Sequence, residues 1–173
     1  MIRIRRAVRE DAVGMANVHV GAWRSAYAGI LPDAYLTGLS TPRQALYYQS
    51  GIEAGHAAYV AEVGSRVIGF ATASRSRSGL ADGEIETLYV LDDWREQGVG
   101  RALMQATARR LSRGGCRSAF LWVLRDNPSR WFYQHLGGRR AADAQTVVAG
   151  MPIPKTAYVW DPIDLLLTTP AAS

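Results

Sequence analysis

Thr87-Leu88-Tyr89-Val90-Leu91-Asp92-Asp93-Trp94-Arg95-Glu96-Gln97-Gly98-Val99-Gly100-Arg101-Ala102-Leu103-Met104 is the stretch on which the fold turns. It begins as a strand, Glu84 to Leu91, and crosses a short turn into a glycine-bearing loop. The loop runs into a helix from about Gly98 to Arg113, with Leu103, Met104, Ala108 and Leu111 on one side. The first amides of a helix have no intrahelical partner, and the macrodipole adds positive potential there. They suit an anion, and glycine at 98 and 100 removes side-chain bulk that would hold a diphosphate off the backbone. A Gly-x-Gly before a helix also arises from tight turns and close packing. This one is neither a Walker loop, since no Gly-Lys-Ser/Thr follows, nor a Rossmann fingerprint, since the third glycine is missing.

Outward from this stretch the chain reads as one α+β domain. Toward the N-terminus, residues 2–7 alternate as a strand, and Asp11 to Tyr27 carries Ala12, Met15, Ala16, Val20, Trp23 and Tyr27 at helical spacing. Pro32 to Leu39 and Pro42 to Ile52 are two further helical pieces. Ala58–Val63 and Arg66–Ser74 form a hairpin about Gly64-Ser65. Toward the C-terminus, Ala119–Leu124 is a continuous apolar strand, and Asn127-Pro128 predicts a helix with Asn127 as N-cap that stops at Gly137-Gly138. Two last strands, about 139–148 and 153–160, complete a mixed, largely antiparallel sheet flanked by helices. The domain is expected over 1–165, with 166–173 a loosely ordered tail.

Composition narrows the class. The 173 residues are 48% hydrophobic and 20% charged, with net charge +5. The arginines are scattered rather than clustered with aromatics, which disfavours a nucleic-acid module; the charge suits a small polyanion equally well. No apolar run is long enough for a membrane span, and the charged Met1 to Arg6 leads into no apolar segment of the secretory kind. One cysteine, Cys116, and no His or Cys cluster at ligand spacing lead to an expectation of no metal, no membrane and a cytoplasmic location.

The strand, the Arg95-x-x-Gly98-x-Gly100 loop and its helix resemble the acetyl-CoA-binding motif of the GNAT superfamily of N-acetyltransferases. Leu121-Trp122-Val123-Leu124, Asn127-Pro128 and Phe132-Tyr133-Gln134-His135-Leu136-Gly137 are similar to that family's next strand and helix. Ala22 to Pro32 is similar to a bacterial-type single-domain subgroup. The resemblance implies a GNAT fold that binds acetyl-CoA as cosubstrate and acetylates a primary amine directly. It implies a pyrophosphate held by the stretch Arg95, Gln97, Gly98, Val99, Gly100, Arg101 and Ala102, with amides from Gln97 to Ala102. It further implies a pantetheine arm paired with the backbone of Leu88, Tyr89 and Val90 and approached by Asn127, entering through a splay between the strands at 84–91 and 119–124. The family commonly has a base where Gln97 stands, a proline at Asp92 and an aromatic at Gly138.

Acyl transfer to an amine needs a neutral nucleophile and a proton for the departing thiolate. An amine of pKa about 10.4 is neutral only about once in 10³ molecules at pH 7, a cost of roughly 4–5 kcal/mol. A carboxylate can take that proton. Glu84 and Glu86 share one strand face, with Ile85 and Thr87 expected opposite; Glu84 better matches the family's glutamate base. Tyr133 matches the tyrosine that protonates the thiolate. Trp23, Tyr27 and Tyr35 are core positions that the resemblance also places over the acceptor. His19, on the same apolar stripe, reads as a satisfied core histidine, Cys116 as packing, and Arg139-Arg140 as a solvated strand start. The acceptor amine, the acyl length and the oligomeric state, homodimer included, stay open. The rival readings are a longer acyl-CoA or a CoA-sensing protein without turnover.

Overall fold

In the computed structural model, which describes residues 1–168, seven strands form one sheet in the order β1-β2-β3-β4-β5-β7-β6. The strands are β1 (Ile2–Arg6), β2 (Ala57–Val63), β3 (Arg66–Arg75), β4 (Gly83–Val90), β5 (Ala119–Leu124), β6 (Arg139–Val148) and β7 (Met151–Trp160). Helices α1 (Ala12–Ala26), α2 (Asp33–Thr37) and α3 (Thr41–Glu53) precede β2; α4 (Val99–Arg113), α5 (Arg130–His135) and α6 (Asp164–Leu167) belong to the second half. Every pairing is antiparallel except β4 with β5.

The two faces of the sheet bury different sets. On one, Met104, Ala108 and Leu111 of α4, Leu136 and Leu166 pack with Ile85, Leu121 and Trp160. On the other, Met15 and Val18 of α1 and Tyr48 of α3 pack with Val60 and Phe70. Burying such apolar surface is worth about 25 cal/mol per Å², which is why each helix presents its apolar stripe inward.

The parallel pair is the feature that matters for the site. β4 and β5 are paired only at Gly83↔Ala119 and Glu84↔Phe120, although β4 continues to Val90 and β5 to Leu124. Beyond that rung they part, and Leu88 to Val90 are hydrogen-bonded on the β3 side alone. The expected splay is therefore real, and it leaves backbone groups of β4 open along one edge.

Three expectations need correction. Asn127 is not a helix N-cap: its Oδ1 accepts the Ser129 amide at 2.8 Å in a local turn, and α5 begins at Arg130 behind Ser129. Asn127 is in effect a turn residue, the other structure its short side chain favours. The stretch after residue 165 is not wholly tail, because Leu166 is buried and Leu167 packs against the core beneath α4, while the reading of loose order at Ala171 to Ser173 lies outside the described residues. Thr87 does not face away from Glu86. A β-bulge, in which β3 advances from Thr72 to Ala73 while β4 passes from Thr87 to Ile85, breaks the alternation at Glu86. The Thr87 hydroxyl then meets that of Thr72 at 2.6 Å. Gly138 has its own reason: a Cβ there would lie 2.8 Å from the Trp160 ring, leaving no room for an aromatic side chain.

Candidate active site

The splay opens into a cavity of about 520 Å³. Its floor is the free edge of β4 at Leu88, Tyr89 and Val90; one wall is the loop and first turn of α4 from Gly98 to Arg101, and the other is Phe132 and Tyr133 of α5. Trp23 of α1 and Tyr27 just beyond its end close the far side, with Asn127 also in the lining.

The loop geometry follows from its residues. Glu96 and Gly98 both take left-handed backbone angles, φ 62° and 79°, and Gly98 stands directly before the first residue of α4. For a non-glycine residue that conformation costs roughly 1–2 kcal/mol, so Glu96 stores strain while Gly98 relieves it. Gly100 has a different task. A Cβ at that position would lie 3.2 Å from the Phe132 ring, so this glycine lets α5 close on α4. The first intrahelical bond runs from the Ala102 amide to the Gly98 carbonyl at 3.0 Å. The Ala102 amide, expected among the pyrophosphate donors, is thereby spent inside the helix. Gln97 does not line the cavity either; its side chain donates to the Asp93 carbonyl at 3.3 Å. The forward-pointing amides are those of the first turn, around Val99 and Gly100. Arg95 lines the cavity and pairs with Asp92 at 3.7 Å, and Asp92 also accepts from the Ser25 hydroxyl. Asp92 thus ties α1 to the loop.

Tyr133 is buried among aromatic rings, with Tyr158 and Trp160 at centroid distances of 6.1 and 6.3 Å. Burial above all, then the neighbouring Tyr89 and Tyr27, push its phenol well up, with Arg95 opposing. Among the described residues its hydroxyl has no hydrogen-bond partner, yet no buried polar side-chain atom is left unpaired. The hydroxyl therefore opens on the cavity and keeps its proton at neutral pH.

The other aromatic groups hold one another in place. Trp23 Nε1 donates to the Tyr89 hydroxyl at 2.9 Å, and the Asn127 amide donates to the Tyr27 hydroxyl at 2.8 Å. Both Asn127 groups are thus engaged within the protein. Tyr35 falls outside the cavity lining and stands behind Trp23, ring centroids 6.5 Å apart. His19 is a satisfied core residue: it contacts the Tyr48 hydroxyl at 2.6 Å and stacks on Trp23, and burial lowers its pKa to about 4.

The two glutamates part company. Neither lines the cavity. Glu84 occupies the last paired rung before the splay, between Ser74 and Phe120. Burial, then Glu86, raise its pKa, while Lys155 opposes. Glu86 is exposed, accepts from the Ser74 hydroxyl at 2.7 Å and lines a separate cleft with Tyr47, Tyr48, His56 and Thr72. Sequence reasoning had no means of finding Tyr47 and Tyr48, because α3 reaches β4 only through the fold. Phe132 it quoted only as part of a pattern. Among the described residues no group of three or more His, Cys, Asp or Glu side chains stands together, and no helix is long and apolar enough to cross a membrane.

With a helix N-terminus and a free phenol meeting at a splayed parallel pair, the comparison with known proteins is specific. The sequence pattern of the acetyltransferase (GNAT) family matches residues 10–137. The chain belongs to that family. It is 35% identical to the uncharacterized N-acetyltransferase YuaI of Bacillus subtilis (strain 168) over 170 residues, 97% of this chain and 98% of that protein. Among solved structures, a GCN5-related N-acetyltransferase from Rhodopseudomonas palustris shares the fold with a TM-score of 0.73 at 17% identity, over 92% of this chain and 94% of its own. The protein yncA of Salmonella typhimurium, solved with its cofactor acetyl-CoA, has a TM-score of 0.68 at 20% identity, over 99% of this chain and 96% of its own. As a GNAT N-acetyltransferase, this protein is an enzyme of acyl transfer.

Proposed function

We propose that this acetyltransferase uses acetyl-CoA as cosubstrate and transfers the acetyl group directly to a primary amine. One observation carries the reading: a single cavity joins the first-turn amides of α4, the open edge of β4 and the Tyr133 hydroxyl. A pyrophosphate fits the amides, an extended pantetheine fits the strand edge as an added strand would, and the thioester then lies toward Tyr133. The Salmonella structure, which holds acetyl-CoA on the same fold, supports this placement.

Acetyl-CoA supplies the activated acyl group; the chain supplies position and proton transfer. As the amine nitrogen bonds to the carbonyl carbon and the C–S bond breaks, Tyr133 gives its proton to the sulfur. Its raised pKa keeps that proton available at neutral pH. The ammonium proton passes to a carboxylate before attack, and the second proton, shed by the nitrogen as the amide forms, restores the Tyr133 phenol. Glu84 fits the role of that carboxylate by its place at the vertex of the splay and by a pKa raised toward working pH.

Gly100→Asp tests the cofactor half. It sets a negative charge against the pyrophosphate and a side chain against Phe132. Calorimetric binding of CoA is expected to vanish in a variant whose circular dichroism remains that of a folded protein. Undiminished CoA binding would remove the cofactor assignment, and absence of thiol release with any amine would remove turnover.

A further inference from the structure

The cleft that Glu86 lines lies between α3 and the sheet and has a volume of about 280 Å³, close to the lower limit of about 300 Å³ for small-ligand pockets. Its floor is a row across three strands: Ala58 of β2, Thr72 of β3 and Glu86 of β4. Its roof is the α3 side, with Tyr47, Tyr48 and Ile52. Most of this lining is apolar or aromatic, and Glu86 is the one acidic residue in it. Tyr47 is 61% exposed, with its ring in T-shaped contact with Tyr48 at 5.4 Å. A half-exposed tyrosine beside a carboxylate and an apolar slot has no packing task that requires it.

The cleft and the cavity have no lining residue in common but adjoin: the His19 ring, in contact with Tyr48 of the cleft, has its centroid 5.0 Å from that of Tyr89 in the cavity lining. β4 is the strand that borders the splay, so Glu86 closes the cleft on the side nearest the cavity. Leu88, which lines the cavity, is two residues further along the same strand, about 7 Å at ordinary strand rise. Glu84 stands on the other side of Glu86, at the vertex. The pKa of Tyr47 is raised first by burial and then by Glu86 and Glu84, which places both charges within reach of its ring.

We infer that this cleft is the acceptor subsite and that it selects a small monoamine with an aryl or branched alkyl body. The inference rests on the acyl-donor reading of the cavity given above. The ammonium group lies against Glu86 and the Tyr47 ring, where charge pairing and a cation–π contact act together, and the apolar body lies along Ile52, Ala54 and Ala58. Polyamines are disfavoured by the same walls. A second ammonium group three or four carbons along Ile52, Ala54 and Ala58 would be desolvated with no carboxylate beside it, because Glu84 lies on the other side of Glu86 and outside the lining.

Calorimetry with the full chain tests this in two titrations: CoA first, then phenethylamine into the CoA-saturated protein. Phenethylamine is expected to bind the wild type. Glu86→Gln should weaken it tenfold or more, and Tyr47→Ala, at an exposed position, by about two- to fivefold. Spermidine should bind at least tenfold more weakly than phenethylamine. If CoA binds but phenethylamine does not, or if Glu86→Gln leaves its affinity unchanged, or if spermidine binds as tightly, the cleft is not a monoamine subsite. Failure of the CoA titration is a different result: it overturns the donor reading, and with it the acceptor role of the cleft.

Discussion

The cavity at the splay and the cleft under α3 adjoin the same strand but are built in different ways. Apart from the α1 side and the turn at Asn127, the cavity is made of β4, the loop, α4 and α5, and the first three of these are continuous in sequence from Gly83 to Arg113. Its key geometry is local: a left-handed glycine before a helix start and an unpaired strand edge. Eight of the cleft's ten lining residues lie in the continuous stretch from Tyr47 to Ala58, but the cleft closes only where the fold lays α3 over Thr72 of β3 and Glu86 of β4. A local motif forms a binding surface wherever it folds, so a whole family can reuse it for one cofactor. An assembled cleft changes with every helix shift, which suits the partner that differs from enzyme to enzyme. Between the two lies His19, in contact with Tyr48 of the cleft and stacked on Trp23 of the cavity.

The sharpest way to break this division is at Tyr133, which belongs to the donor side alone. Tyr133→Phe keeps the ring among Tyr158 and Trp160 and removes only the proton. The expected loss in kcat is roughly 10- to 10³-fold, within or somewhat below the usual general-acid range, with little change in KM for acetyl-CoA. A wild-type kcat, with chemistry limiting turnover, would return Tyr133 to packing.

The partition itself can be tested by acid. His19 has a folded pKa of about 4, below the 6.5 of an unfolded histidine, so between these values the unfolded chain holds the extra proton. Its contribution is therefore constant above about pH 7, falls as pH drops from 6.5 toward 4, and is fully lost below that. The total is roughly 2–3 kcal/mol after allowing for partial solvent contact. In denaturant melts over pH 4–7, the wild type should lose about this much more stability than His19→Gln as the pH falls. Parallel curves would show that the histidine does not stay neutral between the two sites.

The smallest expected effect concerns the vertex. Glu84→Gln keeps size and removes basicity, so kcat/KM should fall by about tenfold where Glu84 is ionised and the amine still protonated. The gap should close as pH rises toward the amine pKa, about 10, and also at low pH, where burial and Glu86 keep Glu84 protonated in the wild type. Glu86→Gln should change KM for the amine more than this pH profile. Overlaid profiles for Glu84→Gln and wild type would move the base elsewhere.

Much of the donor side was legible in the chain because short-range rules govern it. Strand alternation ending at Val90, glycine at 98 and helical spacing after it give the loop and the direction of its amides with no reference to distant residues. The same holds for the hairpin at Gly64, which takes a left-handed φ of 60°. The N-terminal boundary of α5 differs from the expectation for a physical reason of the same short range: the Asn127 side chain closes a turn onto the Ser129 amide, and the helix starts one turn later, with no side-chain cap from Ser129.

What the sequence determined by itself, then, was the order of the elements, the glycine loop before a helix start and the family. Tertiary structure alone decided which donors and carboxylates remain available. The Ala102 amide is consumed by Gly98, Gln97 is turned onto Asp93, and Gly100 is required as much by Phe132 as by any ligand. The bulge at Glu86 sets Thr87 against Thr72 and lines the α3 cleft with Glu86, while Glu84 stays at the rung where β4 and β5 divide. A strand's period of two assigns faces only while the ladder is regular, and a single inserted residue, whose cost depends on the partner strand, reassigns them.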